Sequence, residues 1–265
     1  MKKTVILKGP LLTRSGYGEQ ARFALRSLRS REDLYDIFIQ PLKWGETSWL
    51  CDSNEERAWI DRQIEKTISY VQQGGQFDLS VQVTIPNEFE SIAATNIGYT
   101  AGSKNVFMNS SAVAIHNETN ETIDDYRINV PIDVVNYPVK VFKDLPKIDL
   151  QLDYDFNFLV VSQMGIRKNI QKTIQWFIEE FKDDEVGLVI KTNIAKNSLI
   201  DKRHTEEQLL SVVKSHEYYD NMKCKIYLLH GEMTDDELHS VYLHDKIKAF
   251  LTLAHGEGYG LPIFE

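Results

Sequence analysis

The chain is short of cysteine and of positive charge, and it has no long apolar run; each shortage removes a class of protein. Its two cysteines, Cys51 and Cys224, lie far apart and in no metal-type spacing, so they support neither a disulfide framework nor a zinc site. Each reads as a small buried apolar residue in a reducing compartment. The histidines show no paired ligand spacing on one helix face, and no metal is expected. No stretch approaches the ~20 apolar residues of a membrane-spanning helix, and the apolar run after Met1-Lys2-Lys3 is too short for a signal peptide. A cytoplasmic protein without a transmembrane segment is therefore expected. Lys and Arg number 30 against 39 Asp and Glu, a net charge of -9. A field of that sign repels phosphate backbones, and with no basic stripe nucleic acid is not expected as a partner.

What remains is a globular composition, 42% hydrophobic and 26% charged over 265 residues, enough for one large domain or two ordinary ones. Its order is an alternation of strand and helix. Residues 4–7 form a β-branched run ending at Gly9-Pro10, and Ala21, Ala24, Leu25 and Leu28 share a helical face. A strand over 34–42 follows. Asn54 reads as the N-cap of a longer helix with Ile60, Ile64, Ile68 and Val71 inward and a stop at Gly74-Gly75. Strands are expected over 77–85, 96–100 and 130–138, with weak signals between 103 and 129.

The second half repeats the pattern more clearly. An apolar run over 156–162 fits a buried parallel strand, and Ile170, Ile174, Phe177, Ile178 and Phe181 form a helical stripe behind it. Strands over 186–190, 225–229 and 247–253 alternate with helices over 204–216 and after the capping box Thr234-Asp235-Asp236-Glu237, which turns Leu238, Val241 and Tyr242 inward. The expected fold class is α/β with doubly wound parallel sheets, divided near Asp149 into domains 1–149 and 150–265.

The densest chemistry lies where the last strand delivers the chain to His255-Gly256-Glu257, followed by Gly258, Tyr259, Gly260 and Leu261-Pro262. Open α/β sheets bind ligands at such strand ends. Gly258 and Gly260 permit close backbone approach, and a helix start after them would aim free amides at an anion such as a diphosphate. Glu257 and Glu265 would place one carboxylate in the loop and one in the first helical turn, where both suit sugar hydroxyls. Alone, this is also the pattern of a glycine-rich turn with two solvated glutamates.

Glu257-Gly258-Tyr259-Gly260-Leu261-Pro262-Ile263-Phe264-Glu265 resembles the E-x7-E signature of retaining GT-B glycosyltransferases, above all glycosyltransferase family four. The segment Gly231-Glu232-Met233-Thr234-Asp235-Asp236-Glu237-Leu238 with Tyr242, and Arg167-Lys168-Asn169 before Trp176 and Phe177, are similar to that family too. Together they span nearly all of residues 156–265. The resemblance implies a GT-B fold of two Rossmann-like domains, an acceptor-side one and a donor-binding one. It also implies transfer from a nucleotide-diphosphate sugar to a glycan, lipid or protein hydroxyl with retention of configuration and no metal or other cofactor.

At matching positions it implies that Glu257 contacts the transferred sugar, Lys168 the donor diphosphate and Glu265 the ribose, with Arg167, Gly258, Tyr259, Gly260 and Leu261 beside them. The family's usual arginine five residues before the lysine is Gln163 here. Lys191 either compensates or is merely solvated. Gly16 and Gly18 of Ser15-Gly16-Tyr17-Gly18 resemble the glycine-rich loop that approaches the donor phosphates, although a strand-to-helix turn needs glycine anyway. Arg22, one turn on, faces either a cleft or solvent. His116 reads as structural, because the family's histidine follows an earlier strand.

Two departures from a full member are expected: a truncation at Glu265, in the middle of the signature, and a deletion near residue 102, where Ile97-Gly98-Tyr99-Thr100-Ala101-Gly102 runs directly into Ser103. A non-catalytic nucleotide-sugar binding fragment is the alternative reading. A GT-B epimerase fits the glycine-rich signature less well.

Overall fold

Apolar runs bounded by turn residues become strands covered on both faces. β1 (Lys3–Gly9), α1 (Gly16–Arg29), β2 (Tyr35–Pro41), α2 (Glu55–Gln72), β3 (Leu79–Val83), β4 (Thr95–Thr100) and β5 (Val113–Ile115) follow one another. They form a parallel sheet of order β2-β1-β3-β4-β5. The computed structural model describes residues 2–45, 47–50, 53–100, 113–115, 133, 135, 142–257 and 260–264. The chain divides into two compact units, Met1–Pro138 and Val139–Glu265.

In the first unit Leu7, Ala21, Leu25, Ile37, Ile39, Ile60 and Val83 share one core, while Ile6, Phe38 and Phe77 gather on the other sheet face. Asn54 caps α2 as expected, accepting from Arg57 N at 2.8 Å. The expected inward stripe holds only in part. Ile60 is fully buried, but Ile68 and Val71 are 54% and 53% exposed. Thr67 is buried in their place and accepts a bond from Ile39 N at 2.8 Å. The reason lies in how α2 sits. Ile60 joins the core on one sheet face, whereas Tyr70 lies 4.5 Å from Phe38 on the other. The helix thus wraps the β2 edge, and one stripe cannot describe a helix that meets both faces.

The second unit contains β6 (Asn157–Val161), α3 (Ile170–Phe181), β7 (Gly187–Lys191), α4 (Leu199–Lys214), β8 (Lys225–Leu229), α5 (Asp235–Tyr242), β9 (Ile247–Phe250) and the single turn α6 (Leu261–Phe264). Its strands are all parallel in the order β8-β7-β6-β9. The α3 stripe of Ile170, Ile174, Phe177 and Ile178 is buried against Val160, Leu188 and Ile190, as its spacing requires. Helix α5 opens with the full capping box, Thr234 Oγ1 accepting from Glu237 N and the Glu237 carboxylate from Thr234 N. Helix α4 starts at Leu199, earlier than expected, because Ser198 caps it by accepting from Asp201 N at 3.1 Å.

The unit division at Pro138–Val139 falls before the expected crossing near Asp149. Described residues between these points, and those just after Asp149, pack with the second unit: Ile148 lies against the cluster of Leu152 and Val241. Phe142 stacks on His239 with centroids 3.5 Å apart, Leu152 is buried with Leu159, Val189 and Val241, and Lys246 Nζ donates to Leu152 O at 2.8 Å. The expected strand over 130–138 and the expected deletion near 102 fall on positions outside the described residues, apart from residues 133 and 135.

Candidate ligand site at the strand ends of the second unit

Strands β6 and β9 are neighbours, yet the chain leaves β6 toward β7 on one side and arrives at β9 from β8 on the other. Loops that diverge from such a reversal of strand order leave a crevice at the carboxyl ends of the strands. The loop after β6 contains a short 3-10 turn, Ile166–Lys168, and Asn169 at a φ of 55°, a left-handed conformation that asparagine tolerates better than most residues. After β9 the chain is irregular over 251–257, and Gly260, with a φ of 74°, opens α6. Glycine is the residue for that backbone.

Two backbone-based bonds clasp these loops: His255 N donates to Arg167 O at 2.9 Å, and Asn169 Nδ2 donates to Leu253 O at 3.0 Å. The charged side chains meet above the clasp. Lys168 Nζ lies 2.5 Å from Glu257 Oε1. One guanidinium nitrogen of Arg167 bonds Gly256 O at 2.5 Å and Glu257 Oε2 at 3.1 Å. Lys168 and Glu257 are mostly buried, whereas Arg167 is more than half exposed. Burial alone would raise the Glu257 carboxyl, but Lys168 and then Arg167 outweigh it and hold it below the usual glutamate value. Ser162, Thr173, Thr252 and Pro262 line the adjoining pocket, whose volume of about 10 Å³ is room for about one water.

The structure thus brings Glu257, Lys168 and Arg167 together and sets Gly260 and the backbone of Leu261 beside them. Gly258, Tyr259 and Glu265 lie outside the described residues, as does His116. Lys191, at the end of β7, donates from Nζ to Gly231 O at 2.5 Å and so ties β7 to the turn after β8. Gln163, standing where the resembling family has arginine, bonds Ile194 O at 2.8 Å and joins the loops after β6 and β7.

Gly16 and Gly18 belong to the first unit. A Cβ at Gly18 would come within 2.2 Å of Thr13 O, so that position demands glycine for packing, while nothing lies within 4 Å of a Cβ at Gly16. Ser15 caps α1 through a bond from Gly18 N at 2.9 Å. Arg22 faces neither cleft nor solvent: it is 6% exposed and donates to Leu11 O at 2.8 Å and Thr13 O at 2.9 Å while pairing with Glu19. Its chemistry is spent on shaping the loop from 10 to 18.

Sequence reading missed one cluster. Asp201 is buried near the start of α4, bonded to His230 Nε2 at 2.8 Å and to the amides of Ile194, Ala195 and Lys196 at 3.2, 2.8 and 2.9 Å. Burial alone would raise this carboxyl, but His230 and those amides hold it well below the usual carboxylate range. The signal was present as Ser198-Leu199-Ile200-Asp201, a capping-box spacing. Among the described residues no three His, Cys, Asp or Glu side chains gather as a metal ion would need, and no helix is long and apolar enough to cross a membrane.

No protein-family model matches the sequence, and no curated protein is similar to it. Solved structures are. The chain is similar to the lipopolysaccharide outer core galactosyltransferase WaaB in its apo form, with a TM-score of 0.52 and 13% identity, covering 100% of this chain and 77% of that one. It is also similar to a glycosyltransferase from Rickettsia africae (TM-score 0.47, 12% identity, 96% and 73% of the two chains) and to Acinetobacter baumannii MurG (0.41, 12%, 91% and 69%). The likeness to the galactosyltransferase, with two parallel-sheet units here, defines an α/β protein of the GT-B fold class.

Proposed function

We propose that the chain is a glycosyltransferase that moves a sugar from a nucleotide-diphosphate donor to a hydroxyl acceptor with retention of configuration, without a metal. The observation that carries this reading is the meeting of Lys168, Arg167 and Glu257 at the β6–β9 reversal of a GT-B sheet. A cation there stabilises charge that develops on a departing diphosphate, and a carboxylate suits sugar hydroxyls. In the reaction the bond from the anomeric carbon to phosphate oxygen breaks and one to the acceptor oxygen forms on the same face. The acceptor proton passes to the donor phosphate. The acceptor is a glycan, lipid or protein hydroxyl.

The test is a comparison of nucleoside-diphosphate binding and sugar transfer before and after Lys168→Ala and Glu257→Ala together. Loss of one such electrostatic stabiliser typically costs about 10²–10³ in turnover, and a fall of that size is expected. Equal binding and equal transfer in the two proteins overturns the proposal. Binding with no transfer by the parent chain points instead to a non-catalytic nucleotide-sugar module. The anomeric configuration of the product, read by NMR, checks retention.

A further inference from the structure

We propose that Glu257 is a built-in competitor for the donor's phosphate: its carboxylate occupies Lys168 and Arg167, and an incoming diphosphate must displace it. This rests on the donor reading given above and adds a gate to the same site.

Both carboxylate oxygens are engaged, Oε1 by Lys168 at 2.5 Å and Oε2 by Arg167 at 3.1 Å. One anionic group bridging two cations is also how a phosphate would sit between them. The pocket beside the pair has room for about one water, and a phosphate that bridges the same two cations needs the positions that the carboxylate oxygens hold. It has to take the carboxylate's place.

Exchange of this kind needs only side chains to move. The clasp of His255 N on Arg167 O and of Asn169 on Leu253 O holds the two loops without using either cationic head group. A Cβ placed at Gly256 would meet nothing within 4 Å, so the neighbouring backbone is not wedged in place. Arg167, more than half exposed, gives a phosphate its first contact, while the mostly buried Glu257 carries only a single negative charge. A more highly charged phosphate that takes both cations outcompetes it.

The exchange has a second consequence. A carboxylate released from Lys168 and Arg167 regains its lone pairs and can accept hydroxyl bonds from the sugar carried by the same donor. Arrival of the phosphate and readiness of the sugar contact then become one event.

The experiment is isothermal calorimetry with inorganic pyrophosphate, which carries no base or sugar, on the parent chain and on Glu257→Gln. A Glu232→Gln variant supplies a control that removes one negative charge from the loop after β8. Glu257→Gln is expected to bind pyrophosphate about five- to tenfold more tightly, a change of about 1.0–1.4 kcal/mol. Glu232→Gln is expected to change it by about twofold or less, as a screened charge should. In a Lys168→Met, Arg167→Met background the gain from Glu257→Gln should vanish.

Pyrophosphate that binds the parent through Lys168 but no more tightly to Glu257→Gln overturns the gate and leaves the donor reading standing. Equal gains from Glu257→Gln and Glu232→Gln also overturn the gate, since bulk charge alone then explains them. Failure of every variant to bind pyrophosphate overturns both. Binding seen only after Glu257→Gln supports the gate in its strongest form.

Discussion

The two units finish their parallel sheets with polar side chains used in opposite ways. In the first, Arg22 is committed to Leu11 O and Thr13 O. Gln82 exchanges two bonds with the backbone of Glu90, and Asn96 Oδ1 receives the amides of Ile92 and Ala93. These side chains replace water for backbone groups under the loops. In the second, Lys168 and Arg167 meet the carboxylate of Glu257 near the surface. A side chain bonded to buried backbone cannot change partner without orphaning a peptide group, whereas two side chains paired at a rim can each accept a ligand instead. Asp201 shows that the distinction is local: it lies in the second unit but binds three backbone amides, as the first unit's residues do.

The comparison breaks most readily at Arg22. Arg22→Met should destabilise the first unit by about 2–4 kcal/mol, because two carbonyls lose their donor and Glu19 loses one of its cations. Chemical denaturation measures it, and a loss under about 0.5 kcal/mol would mean that the loop does not depend on the guanidinium.

A smaller effect is expected from Asp201→Asn, about 1–3 kcal/mol at neutral pH. Its folded-state carboxyl is held low, so its contribution is fully present above the unfolded value of about 3.9 and is lost as pH falls below it. Acid titration of stability should therefore show a steeper low-pH limb in the parent than in Asp201→Asn. Parallel limbs would remove Asp201 from the internally committed group.

The mildest change is Thr234→Ala, which removes the cap of α5 at an exposed helix start. A loss of about 1 kcal/mol in thermal or denaturant unfolding is expected, with pyrophosphate binding unchanged.

Local patterns were legible wherever one neighbour decides the outcome. Residues 225–229 were read as a strand and form β8, and the Thr234 capping box and the α3 stripe appear as their spacing required. Misreadings arose where two surfaces compete. Ile68 and Val71 have helical spacing, but α2 wraps a sheet edge and sends Tyr70 inward. Arg22 was read as facing either a cleft or solvent because nothing local shows that carbonyls at 11 and 13 turn back toward it. At the site, glycines and a strand end marked the loop after β9 and the family resemblance marked the loop after β6, while the contacts between residues 167–168 and 257 depend on strand order, which periodicity does not encode. Asp201 was readable as a cap, but its bond to His230 was not.

The placement of β9 beside β6 has a consequence in time. Lys168 and Glu257 are 89 residues apart in the chain, and β7 and β8 are made between them. Closing a loop of that length carries an entropic cost that local contacts do not share, and contacts of such separation form slowly. During synthesis the β6 loop is therefore complete long before its partner exists, with its two cations uncovered. A protease or fluorescent probe that reports burial of Lys168 would follow the docking of β9 beside β6.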